Sequence, residues 1–161
     1  MELPIKTEII GLDKADITKI ISLYSKTLAY HNFNHIIEVL LAAKKIMEDC
    51  ASENINIDEK IVNVAILFHD AGYQENHTSL GFSTKEAYSA FLAKEFLKAK
   101  NFETNTIDQI QSAILATEKN GRFIKPESKV VRAADLSGLS SQYDIFLNNA
   151  LKIKAEYELL T

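Results

Sequence analysis

The chain has 161 residues, 47% of them hydrophobic and 25% charged, an ordinary soluble composition with length for the core of one domain. Its formal net charge of −4 argues against general nucleic-acid binding, which shows a basic excess. A lone cysteine, Cys50, excludes an internal disulfide and a cysteine-rich zinc site, and no segment approaches the roughly 20 apolar residues that span a bilayer.

The opening "MELPIKTEIIGLDK" has an acidic residue at position two and no apolar run long enough for a signal peptide, so a cytoplasmic location without membrane contact is expected. Five Gly and two Pro against many Leu, Ile, Ala, Lys and Glu favour helices over strands. The expected fold is all-α, a single compact domain over residues 1–161 with about seven helices.

In chain order, residues 13–29 place Ile17, Ile20, Ile21, Tyr24 and Leu28 at helical spacing, with Asp13 as N-cap. Residues 31–51 form a longer helix with Ile36, Val39, Leu40, Ala43, Ile46 and Met47 on one face. After the polar break "ASENINID", Asp58 caps "EKIVNVAILFHDA", which is apolar nearly all round at its centre and so is expected to be buried. Gly72 stands where a helix C-terminal glycine belongs. "QENHTSLGFS" reads as a loop, and residues 83–100 as a helix opened by a capping box of Ser83 or Thr84 with Glu86. "TNTIDQIQSAILAT", then "ESKVVRAADLSGL" after the loop "EKNGRFIKP", and a final amphipathic stretch over 142–160 complete the set. That last helix can pack on a partner, so a homodimer is a candidate assembly.

Three places carry a metal-competent side chain on a face that belongs in a core: His31 and His35, four apart; adjacent His69 and Asp70; and Asp135 within "VVRAADLSGL". Separately, each has an ordinary explanation. His69 can donate to a carbonyl, Asp70 can cap a turn, and Asp135 can pair with Arg132. Together they point to one divalent cation, because an isolated buried carboxylate costs several kcal/mol unless it is paired or ligates a metal. Mixed imidazole and carboxylate ligands suit Mn²⁺, Fe²⁺, Co²⁺, Ni²⁺ or Zn²⁺ better than Ca²⁺; Mg²⁺ is also a candidate. Such an ion polarises a phosphoryl oxygen and activates water.

The order His, His-Asp, Asp in a helical chain resembles the HD superfamily of metal-dependent phosphohydrolases. The resemblance is closest to a small branch with motifs like "YHNFNHIIEVL" and "ILFHDAGY", and it also covers "STKEAYSAFLAKEFL", "IQSAILAT" and "VVRAADLSGL", placing the metal-site core at about 30–139. It implies that His35, His69, Asp70 and Asp135 ligate the metal, with His31 a nearby pocket residue. Branch members often open the next helix with a His-Glu pair and carry a histidine after "ILAT"; Lys85-Glu86 and Asn120 stand there, which favours a mononuclear site.

The expected activity is hydrolysis of a phosphate monoester or diester of a nucleotide or similar small metabolite. The alternative is a weak or inactive metal- or nucleotide-binding module. Besides Asp70, the catalytic candidates are Lys85, a cation at a helix start, and Glu86, a proton shuttle or water anchor. Substrate-binding candidates are His31, Lys85 and Arg122, one of two arginines; Lys119 and Lys125 read as solvated surface. His77 can gate the pocket, and Tyr73 or Phe82 can stack on a base.

Overall fold

The computed structural model describes residues 2–160, which form eight α-helices with no strand among them. They are α1 (Thr7–Ile10), α2 (Lys14–Ile21), α3 (Phe33–Ser52), α4 (Glu59–Phe68), α5 (Lys85–Ala99), α6 (Thr104–Leu115), α7 (Pro126–Leu136) and α8 (Tyr143–Leu160). Two 3₁₀ turns, Ala71–Gln74 and Ser137–Leu139, follow α4 and α7. The helix beyond the expected seven is α1. A single turn is too short to show a period, and it ends at Gly11, whose φ of 74° is left-handed and whose N–H returns to the Thr7 carbonyl.

Helix α4 is the hub. Every residue from Ile61 to Phe68 is buried, and the helix packs against α1, α3, α5, α6 and α7. Its start follows the expected cap: the Asp58 carboxylate accepts from the N–H groups of Lys60 and Ile61. At its far end the Tyr24 hydroxyl donates to the Leu67 carbonyl at 2.6 Å, fixing the turn from which His69 and Asp70 project.

Several boundaries and contacts differ from the sequence expectation, each for a local reason. The helix expected over 13–29 stops at Ile21, because Ser22 Oγ donates to the Lys19 carbonyl and Ser25 Oγ accepts from Thr27 and Leu28. Helix α3 begins at Phe33, not at His31, since the Asn32 side chain accepts from Asn34 and His35 as N-cap. His31 therefore precedes the helix. Thr84, which accepts from Ala87, is the N-cap of α5, so Glu86 is too close to it for a capping box. Helix α4 stops at Phe68, and Gly72 is no helix C-cap. A Cβ there would lie 2.8 Å from the Lys85 carbonyl oxygen and 2.9 Å from Tyr88 Cδ1, and its N–H donates to Ser89 Oγ. Glycine is required because the turn presses on α5. Arg132 does not pair with Asp135; its guanidinium donates to the Ala116, Glu118 and Lys119 carbonyls past the C-terminus of α6.

Candidate metal centre

The N-terminus of α3 and the C-termini of α4 and α7 meet. His35 sits in the first turn of α3, His69 is the C-cap of α4, Asp70 leads into the 3₁₀ turn, and Asp135 lies in the last turn of α7. Apolar stripes on α3, α4 and α7 share the core, and that packing brings polar residues far apart in sequence to one point. Ligand-capable atoms of His35, His69, Asp70 and Asp135 all lie within 4.8 Å of one another. His35 Nε2 is 3.2 Å from Asp135 Oδ1 and 3.5 Å from Asp70 Oδ2; His69 Nε2 is 3.1 Å and 3.2 Å from the same two oxygens.

Burial makes this gathering demanding. The side chain of His69 is fully buried, those of His35 and Asp70 nearly so, and that of Asp135, at 20% exposed, forms the open edge. His69 Nδ1 lies 2.7 Å from the Ile66 carbonyl, so that nitrogen carries a proton and the neutral ring turns a lone pair on Nε2 toward the carboxylates. Asp70 Oδ2 is buried without a hydrogen-bond partner. Burial lowers the His69 pKa, but the charges of Asp70 and Asp135 outweigh it and hold the imidazole well above its ordinary value. Burial raises the carboxyls of Asp70 and Asp135, and the facing histidines reverse that and bring both below the usual range. Two carboxylates facing two imidazole nitrogens demand positive charge between them. An imidazole and carboxylate donor set with a buried, unsatisfied oxygen fits a divalent cation.

Beside this cluster lies a cavity of about 570 Å³ lined by His31, Tyr73, His77, Lys85, Ile153 and Glu156, among others. The His31 ring stacks on Tyr73 with centroids 3.8 Å apart, and its centroid lies 6.1 Å from that of His35. Lys85 Nζ sits 4.7 Å from the Tyr73 ring centroid and donates to the Tyr73 carbonyl at 3.3 Å. Burial raises the Glu86 carboxyl, and the negative charges of Asp70, Glu118 and Asp135 add to that.

The other residues singled out by sequence lie elsewhere. Arg122, Asn120 and Lys125 line a larger groove of about 650 Å³ between α6 and α7, which shares no lining residue with the cavity at His31. Phe82 packs on Tyr88 and Phe91 along α5, and Tyr73 is engaged by His31 and Lys85, so neither offers a free ring face at the cluster.

The site also has a member that sequence reading missed. Glu156, on α8, is 3% exposed; one carboxylate oxygen accepts from the Tyr30 and His31 N–H groups, the latter at 2.6 Å, and the other lies 2.5 Å from His31 Nδ1. In sequence it is one carboxylate of an amphipathic helix, with nothing to mark it as buried.

No helix of the described residues is long and apolar enough to cross a membrane. No curated protein and no solved structure matches the chain. A family model described as HD domain matches residues 32–137, more than half of the chain, and that span contains all four residues of the cluster; the chain belongs to the HD-domain family, generally metal-dependent phosphohydrolases.

Proposed function

We propose that this protein hydrolyses a phosphate monoester or diester of a nucleotide or similar small metabolite, with His35, His69, Asp70 and Asp135 holding one divalent ion. The observation that carries the reading is the convergence of those four side chains, with Asp70 Oδ2 buried and unsatisfied, beside a cavity walled by a lysine. When bound, the ion neutralises phosphate charge and activates a water.

The chain's own groups supply the rest. Lys85 is the first residue of α5, where ammonium and helix N-terminus together favour an anion, and its Nζ is steadied over Tyr73. Glu86, whose carboxyl burial raises above its ordinary value, is suited to take up a proton at its carboxylate. Ile153 and Leu160 of α8 offer apolar surface to the organic part of a substrate.

The test is a panel of nucleoside monophosphates, cyclic nucleotides, triphosphates and aryl phosphates, run on chelator-stripped protein resupplied with Mn²⁺, Co²⁺ or Ni²⁺. Chelator-sensitive turnover of one class is expected; none across the panel contradicts the reading. Lys85 and Asn120, standing where related chains often carry histidines, favour the second reading, a binding module without turnover. Calorimetric nucleotide binding with no product would establish that one.

A further inference from the structure

We propose that Glu156 is a positioning residue, holding the His31 imidazole in one tautomer beside the metal centre so that Nε2 exchanges a proton with a substrate oxygen. This rests on the hydrolase reading above. Both residues lie outside the matched span of 32–137.

Helix α8 is not attached through a greasy face. Its two buried side chains are polar: Asn149, whose amide donates to the Gly138 carbonyl at 3.1 Å, and Glu156. Ile145, Leu147, Leu151 and Leu159 are 40–68% exposed. If this helix served only to cover the bundle, an apolar side chain at 156 would do so without the desolvation cost of a buried carboxylate. The carboxylate is directed at one target instead. It collects the backbone N–H groups of Tyr30 and His31 on one oxygen and the His31 ring on the other, while Tyr73 stacks on the ring at an interplanar angle of 11°. Hydrogen bond and stack together fix the ring's plane and put a proton on Nδ1, which leaves Nε2 as the working nitrogen. The His31 ring centroid lies 6.1 Å from that of His35 in the cluster.

In the step this arrangement serves, the bond from phosphorus to the leaving oxygen breaks, and its electron pair goes to that oxygen. The ring, which takes up a solvent proton on Nε2 before the step while Nδ1–H stays on Glu156, gives that Nε2 proton to the oxygen. Water forms the new bond to phosphorus and gives its proton to Glu86. His31 ends neutral, with its Nδ1–H still on Glu156.

Glu156→Gln separates positioning from simple anchoring. Its amide oxygen can still accept from Tyr30 and His31, but its NH₂ faces His31 Nδ1 and favours the opposite tautomer. The expected result, on Zn²⁺-loaded protein, is a switch of His31 from Nδ1–H to Nε2–H in long-range ¹H–¹⁵N spectra, with metal content near wild type and the helical far-ultraviolet spectrum retained. With a phosphate ester, kcat falls by more than about tenfold, toward the 10²–10⁴-fold scale of acid–base catalysis, while KM changes little. The loss is larger for an alkyl ester than for a nitrophenyl ester, and adding His31→Ala costs little more. An unchanged tautomer, a kcat loss below about tenfold, or full additivity with His31→Ala overturns the proposal. If the wild type turns over no phosphate ester, the hydrolase reading fails; the tautomer then still decides whether Glu156 positions His31.

Discussion

His69 Nε2 lies 3.1 Å from Asp135 Oδ1, a contact made across 66 residues of sequence. The other ring nitrogen is committed to the Ile66 carbonyl, so a neutral His69 has only a lone pair to offer that carboxylate. Contact therefore requires a second proton or a cation, and Asp70 Oδ2, buried and unbonded at 3.2 Å from the same nitrogen, doubles the requirement.

Asp70→Ala is expected to remove bound metal and any hydrolytic activity together, whereas His77→Ala leaves metal content intact. Asp70 is inside the cluster, while the ring of His77 contacts Thr78 in the loop wall. Elemental analysis of the two purified variants checks this; loss of metal in His77→Ala alone would reverse the assignment.

Asp135→Asn and Asp135→Leu are expected to change places when the metal is stripped. With metal present, Asn is the milder change because its amide oxygen still reaches the site. Under chelation Leu matches or exceeds Asn in melting temperature, since both remove the charge but only Asn leaves a polar amide to desolvate with no cation to satisfy it. An identical ranking with and without chelator would argue that no cation acts at Asp135.

Gly72→Ala is expected to destabilise the fold by about 1–3 kcal/mol in urea unfolding, because its Cβ would press on backbone and ring atoms of α5. The strain falls two residues from Asp70, so metal affinity drops as well. A variant as stable as wild type would show that this turn can yield.

How much of this was legible in sequence depended on the range of the forces involved. Asp13 and Asp58 announce their helices because capping joins residues two or three apart, and the apolar spacing of α3 and α4 declares a core face. His35, His69, Asp70 and Asp135 were legible as candidates because polar side chains on apolar faces call for a partner. Gly72 was misread because its partner, Ser89, comes from another element, and the pairing of Arg132 with Asp135, weighed only as the alternative to a metal, is absent because Arg132 reaches the Ala116 carbonyl instead. Glu156 was invisible, since 125 residues separate it from His31 and its own helix has an ordinary amphipathic sequence. Local competition misled as well: Asn32 as N-cap took His31 out of a helix that the spacing alone would have given it.

Stability in acid is expected to depend on Glu156. Burial raises its carboxyl, but hydrogen bonds from the His31 ring and the Tyr30 and His31 N–H groups outweigh that and lower it below the ordinary 4.5. A carboxyl lowered on folding contributes stability that is present above its unfolded value and lost as pH falls through the folded one. Glu156→Gln removes that titration, so unfolding followed from pH 6 downward has a shallower acid limb. An acid limb of unchanged slope would mean that Glu156 carries no charge-dependent stability.

The most direct measurement is the metal content of protein purified without chelators and dialysed against Mn²⁺, Co²⁺, Ni²⁺ or Zn²⁺, compared with His35→Ala and Asp135→Ala. The account predicts one tightly held ion per chain in the wild type and its loss in both variants, with the helical far-ultraviolet spectrum retained. A wild type that holds no ion, or variants that bind it as tightly as wild type, would contradict it.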